Sequence, residues 1–184
     1  LSLAGGEKLG RLDDLEGRNA GRAVGMVISA FVYHVREPGA LVPQAKLNML
    51  NRAVLNACDA HEGVKDGLLN NPGACKFDPA TLVCTAGDAE NCFTPAQLES
   101  VKRMYAASKF SDGKVIFPGK TIGSEASWTA ILDTQKQPIF VALGSFQLAY
   151  QDPNWDWAKF DIDRDVRVVD EKTSFINATD PDLG

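Results

Sequence analysis

The amino-acid sequence predicts an α+β domain, rich in helices, with short strands and long loops stapled by disulfides. Three observations lead there. Several segments space their apolar residues as a helix does, four cysteines crowd into 35 residues, and 16 Gly with 9 Pro cut the remainder into short elements. At 184 residues and 45% hydrophobic content, the chain can bury one core or form one large subdomain.

Residues 1–22 are rich in Gly, Asp, Glu and Arg with weak periodicity, and read as loop or as a frayed helix around 7–15. From Ala23 to Val35 the apolar positions Val24, Val27, Ile28, Phe31 and Val35 follow helical spacing, which predicts a buried helix ended by Glu37-Pro38-Gly39. Pro43 opens a second helix at its first position, with the stripe Leu47, Leu50, Val54 and Leu55 leading into Cys58. Residues 58–92 form a loop region held by the cysteines. Thr94 and Gln97 make a capping box for a helix through Leu98, Val101, Met104 and Tyr105 to about residue 107. Asp112-Gly113 is a hairpin turn before a short strand, Val115 to Phe117. Gly123 to Trp128 reads as a turn opening a short helix, residues 139–150 as a helix stopped by Asp152-Pro153, and residues 166–172 as a last helix.

Composition narrows the function. The net charge of −5, with no cluster of Lys and Arg, argues against nucleic acid as a partner. No run of about 18 apolar residues exists, so no membrane-spanning helix is expected. The chain opens at Leu1 without a Met and reads as an internal piece of a longer protein.

Cys58, Cys75, Cys84 and Cys92 allow three pairings. Their spacings of 17, 9 and 8 lack the close pairs of a zinc site, so disulfides and an oxidising, secreted or periplasmic setting are expected over a zinc or redox protein. Two local bridges, Cys58–Cys75 and Cys84–Cys92, are the economical arrangement.

The segment beginning at Cys58-Asp59 carries the chemistry. Asp59, Glu62 and Asp66 fall within eight residues, and Gly63 and Gly67 let the backbone fold back between them. Carboxylates brought together this way repel unless a cation joins them. Calcium suits such a loop, because it takes six to eight oxygens in loose geometry, whereas magnesium demands an octahedron. The spacing is not that of an EF-hand, and on charge alone a solvated acidic turn is an equal reading.

The segments Cys58-Asp59-x-x-Glu62-Gly63-Val64-x-Asp66-Gly67 and Cys75-x-Phe77-Asp78-Pro79-Ala80-x-Leu82-x-Cys84 resemble the lid of the tannase and feruloyl esterase family. Further segments match in order: Pro43-x-Ala45-Lys46-Leu47, Cys92-x-Thr94-x-x-Gln97, Phe117-Pro118-Gly119, Gly123-Ser124-Glu125-x-x-x-Trp128, Asp152 to Trp157, and Asn177 to Leu183. The resemblance implies a lid domain at 23–184, inserted in an α/β-hydrolase fold, with residues 1–22 a poorly matched N-terminal segment. It implies a structural Ca2+ in the loop 58–68, held by the side chains of Asp59, Glu62 and Asp66 and the carbonyls of Val64 and Leu68. Glu62 stands where the family usually has Asp. It also implies the two local disulfides.

In that family the catalytic Ser follows a Cys, and an Asp and a His-Cys pair come later in the hydrolase domain. This chain has no Cys-Ser pair, no G-x-S-x-G elbow and no His-Cys pair. Its two histidines read as a satisfied core or boundary residue (His34) and a solvated loop residue (His61). The expectation is therefore a lid without catalytic residues, partnered by an α/β-hydrolase domain and covering an aromatic ester substrate. Trp128, Phe140, Phe146 and Tyr150 are the candidate substrate-facing aromatics. Asn177-Ala178-Thr179 fits a glycosylation sequon but reads as structural. The alternative from another class is a stand-alone calcium-binding interaction module.

Overall fold

The computed structural model describes residues 20–59, 66–128 and 140–176. In chain order the regular elements are α1 (Ala20–Arg36), α2 (Gln44–Cys58), α3 (Pro95–Tyr105), β1 (Ser108–Lys109), β2 (Val115–Phe117), α4 (Phe140–Tyr150) and α5 (Ile162–Lys172), with single 3-10 turns between them. The α+β, helix-rich expectation matches this: among the described residues the two strands form one antiparallel ribbon, and everything else regular is helical.

Helix boundaries follow local chemistry. α2 starts one residue later than expected, because Pro43 keeps an extended ψ of 152° and serves as N-cap. α3 carries the predicted capping box: Thr94 Oγ1 accepts from the Gln97 amide, and Gln97 Oε1 accepts from the Thr94 amide. α5 begins at Ile162 rather than near 166, because the Asp161 side chain accepts from the Arg164 amide and caps it there. The hairpin turn falls at Asp112-Gly113, where Asp112 Oδ1 accepts from the Lys114 amide and Gly113 takes a φ of 86°.

α1 differs most from expectation. The sequence places Ala20 to Arg22 in a loop, yet these residues form the first turn of the helix. Gly21 and Gly25 are the reason. A Cβ on Gly21 would lie 2.5 Å from the Asp170 Cα, and one on Gly25 would lie 2.7 Å from a Val166 methyl. Both glycines let α1 approach α5 closely, so their helix cost is offset by packing.

Two cores share α1 as a wall. The first joins Ile28, Phe31 and Val32 of α1 to Ile116 of β2, Phe146 of α4, and Val166 and Val169 of α5, with Phe110 and Phe160 from the connections. The second joins Leu47, Leu50 and Val54 of α2 to Val101 and Met104 of α3, Phe93 and Trp128. Val27 of α1 packs against both.

Buried polar groups tie the second core together. Glu125 is fully buried: Oε1 accepts from Tyr105 Oη at 2.7 Å and from the Gly123 amide at 2.6 Å, while Oε2 accepts from Asn51 Nδ2 at 2.8 Å. Burial, and then the hydrogen bond and charge of Glu125, push the Tyr105 hydroxyl's pKa upward. Lys46, also buried, donates to Gln97 Oε1 at 2.7 Å and to Asp88 Oδ1.

Three stability predictions test this packing by urea unfolding followed through tryptophan fluorescence. Gly21→Ala gains about 1 kcal/mol of helix propensity but forces backbone against backbone, so a net loss of about 2 kcal/mol is expected. Gly144→Ala in α4, where a Cβ meets no described atom within 4 Å, should instead gain up to about 1 kcal/mol. Glu125→Ala strands the Tyr105, Asn51 and Gly123 donors in the core and should cost about 3 kcal/mol or more, with Glu125→Gln costing less.

Candidate metal site

α2 delivers its last residue, Cys58, into a bridge with Cys75, and Asp59 follows directly as the helix C-cap. The Asp59 side chain is 2% exposed. Its Oδ2 accepts from the Gly67 amide at 2.9 Å, and its Oδ1 receives a longer contact from the Asp66 amide at 3.4 Å. Asp66 is exposed, and its Oδ1 accepts from the Leu68 amide at 3.0 Å. Gly67 holds a φ of 80°, the left-handed conformation that lets 66–68 wrap the carboxylates.

Two forces act against Asp59 as an isolated anion. Burial penalises its charge, and the carbonyl end of α2 adds a partial negative charge beside it. Among the described residues no Lys or Arg forms an ion pair with Asp59, although Arg52 shares a cavity wall with it. A hard cation would remove both penalties, and the described donors, the Asp59 and Asp66 carboxylates, are of the hard oxygen class calcium prefers. The residues therefore fit calcium chemically.

Of the expected ligands, the structure places Asp59, Asp66 and Leu68 on one short loop. Glu62 and Val64, like His61, lie outside the described residues, and the Leu68 side chain is exposed. Among the described residues no three metal-ligating side chains gather at one point, so the loop's described part supplies two carboxylates.

The staples have the expected pairing. Cys58–Cys75 spans 17 residues and Cys84–Cys92 spans 8. The second loop is closed further by the backbone, with the Cys84 amide donating to the Phe93 carbonyl and the Phe93 amide to the Leu82 carbonyl, both at 2.8 Å. Lys46 reaches this loop through Asp88.

The four aromatic positions separate. Trp128 is buried in the second core, edge-on to Tyr105, with its indole N–H donating to Ser124 Oγ. Phe146 is buried in the first core and stacks on Trp155 at 4.5 Å. Tyr150 is half-buried and donates to Asp165, near the exposed Leu148 and Phe175. The Phe140 side chain and the sequon at 177–179 lie outside the described residues. Asp152 to Trp157 brings its tryptophans onto the first core, Trp157 edge-on to Phe31 and Trp155 against Phe146.

Sequence reasoning missed several polar centres, the buried Glu125 among them. Asp165 is fully buried. Burial would raise its pKa, but the Arg164 guanidinium, the Asp161 amide and Tyr150 hold it below the usual range. Lys46 was visible within a motif, but nothing in the sequence placed its charge inside. His34 is buried as expected. Its Nδ1 meets the Ala30 carbonyl at 2.5 Å, while its Nε2 has no partner among the described residues.

Comparison with known proteins places the chain. A family model described as tannase and feruloyl esterase matches residues 19–184. A probable feruloyl esterase B-2 of Aspergillus flavus is 36% identical over 124 residues, covering 67% of this chain and 23% of its own length. An uncharacterised esterase of Xanthomonas campestris is 36% identical over 69 residues, covering 38% of this chain and 12% of its own. The crystal structure of feruloyl esterase B from Aspergillus oryzae superposes with a TM-score of 0.77 at 20% identity, over 90% of this chain and 34% of that one. An esterase from the same organism gives 0.70 at 22% identity, over 84% and 31%. At those identities the structural likeness is one of fold, and the chain spans at most about a third of the relatives it resembles. With 19–184 matched end to end, the chain belongs to the tannase and feruloyl esterase family.

Proposed function

We propose that this chain is the lid and calcium-holding portion of a serine carboxylic ester hydrolase that acts on aromatic esters of the feruloyl or galloyl kind. The observation that carries the reading is the superposition of 90% of the chain on only 34% of a feruloyl esterase. The sequence also offers no Cys-Ser pair or His-Cys pair for acyl transfer. The hydrolytic triad belongs to an α/β-hydrolase domain that partners this one.

The ligand set proposed for calcium is Asp59, Glu62 and Asp66 through their side chains, and Val64 and Leu68 through their carbonyls. Bound there, calcium supplies charge neutralisation and holds the loop 58–68 to the end of α2, a structural role. Asp59 keeps its two backbone donors and offers its remaining lone pairs. Of the substrate-facing candidates, Tyr150 keeps the exposure an acyl ring needs, Phe146 belongs to the core it packs on, and Trp128 is structural in the second core. The two disulfides support maturation where thiols oxidise, in a secreted or periplasmic setting.

Chelation separates the metal claim from the fold. Removing calcium with EGTA should lower the melting temperature by about 5 °C or more, and Asp59→Asn should abolish the calcium dependence. A melting curve indifferent to chelator would remove calcium from the proposal. For the chemistry, the 184-residue chain alone should hydrolyse methyl ferulate no faster than buffer. The same chain extended by its own genomic flanks should hydrolyse it, and lose that rate when the Ser after Cys is changed to Ala. Turnover by the unextended chain would overturn the lid reading.

A further inference from the structure

His34 stands in the last turn of α1, where that helix meets the end of α3 and β1. It is 6% exposed. Its Nδ1 lies 2.5 Å from the Ala30 carbonyl oxygen, so Nδ1 carries the proton and donates. Nε2 is buried and meets no hydrogen-bonding partner among the described residues. A neutral ring leaves only a lone pair unmet there. A charged ring would bring a second N–H without a described acceptor, and a positive charge held away from water.

The charged groups around this seam do not offset that cost. From α3 comes Arg103, whose guanidinium lies 4.2 Å over the Tyr33 ring and whose Nε meets Glu99 at 2.9 Å. From β1 comes Lys109, and from the start of α5 the uncharged Ile162. On α1 itself Tyr33 is edge-on to the imidazole at 5.6 Å, and Arg36 donates to the Ala158 carbonyl. Among the described residues no carboxylate pairs with the ring. The last turn of a helix favours a cation, but that pull is weak beside desolvation. Burial therefore holds the imidazole below its ordinary range against the pull of the Ala30 bond, and the charge of Arg103 adds to the depression.

The seam is also the least filled contact of α1. A cavity of about 220 Å3 lies between α1, the end of α3 and β1, with Ser29, Ala30 and Tyr33 in its wall. The opposite end of the helix is pressed against α5 at Gly21 and Gly25. We propose that His34 is an acid-operated latch: neutral, it lets the last turns of α1 close on the end of α3, and protonated, it holds that seam apart while α1 stays on α5. Nε2 is shut off from water, so it takes a proton only when the seam parts, and the charged ring then opposes reclosure. The latch stands independently of the esterase reading.

The sign of the pH dependence follows from the depressed affinity. The folded ring binds a proton less readily than the unfolded one, so stability is complete above the ordinary value of 6.5 and falls as pH drops below it. The chain has two histidines, so His61→Gln leaves one imidazole titration in an NMR spectrum, that of His34. Its midpoint should lie below 6.5, and a midpoint at or above that value would overturn the latch. Urea unfolding of the unsubstituted chain and of His34→Gln, which stays neutral, cancels the carboxylates common to both. The ratio of their unfolding constants should be flat above about pH 7 and rise by up to about tenfold per pH unit below it. A ratio that stays flat on acidification would also overturn the latch. Amide exchange, corrected for its intrinsic rate, should lose protection at residues 29–37 and 103–110 near pH 5 while 21–28 and 162–172 keep theirs. Protection lost evenly along the chain would mean acid unfolding without a latch. Should His34→Gln fail to fold, the titration and the exchange pattern decide by themselves.

Discussion

The close approach of α1 to α5 governs the arrangement of this domain. α1 is the wall common to both hydrophobic cores, so its position sets the first core on one face and orients α2 and α3 on the other. That position exists only because Gly21 and Gly25 carry no Cβ where Asp170 and Val166 lie. Each glycine gives up about 1 kcal/mol of helix propensity relative to Ala. The return is burial of Ile28, Phe31 and Val32 against Val166 and Val169, where each such side chain contributes roughly 1.5–3 kcal/mol. Arg22 adds a bond to Asp170 at 3.0 Å along the same seam.

Three buried carboxylates differ in how their charge is met. Glu125 receives three donors from three different segments, so its charge is spread over a filled hydrogen-bond shell. Asp165 lies against the Arg164 guanidinium, with Tyr150 and the Asp161 amide completing its shell. Both are structural pins. Asp59 has two backbone donors, one of them long, and it sits at the negative end of α2. Among the described residues Asp59 is the least hydrogen-bonded of the three, and the carbonyl end of its helix adds negative charge beside it.

Legibility in the sequence followed the range of the interactions. Caps and turns, which act across three or four residues, were readable: the Thr94–Gln97 box, the Asp112-Gly113 turn and the halt at Asp152-Pro153 fell where expected. The helical stripe of α2 was readable because a single face is buried. The start of α1 was not, because its glycines answer to a partner about 145 positions away, and locally they look like loop. The early start of α5 depended on Asp161 as cap within a run of acidic residues, where no apolar period marked the boundary. In the candidate site, residue types and disulfide partners were legible, since sulfur pairing over short loops is a local matter. The burial of Asp59, the interior charge of Lys46 and the open lone pair of His34 were not, because burial of a polar group is decided by what packs over it.

The staples give the site rigidity that the cores do not reach. Residues 66–92 contain no helix longer than one 3-10 turn, and most of their side chains are exposed or half-buried. Hydrophobic burial alone would hold such a stretch weakly. Closing loops of 17 and 8 residues lowers the entropy of the unfolded chain by the equivalent of about 3 and about 2.5 kcal/mol. The first bridge acts at Cys58, one residue from Asp59, and the second is tied back to α2 through Asp88 and Lys46. Both constraints therefore converge on α2, whose Leu47, Leu50 and Val54 are the apolar anchor of the second core. Asp59 therefore inherits its position from a helix fixed on one face by packing and at its end by sulfur. This is how a stretch without a core of its own is held in place.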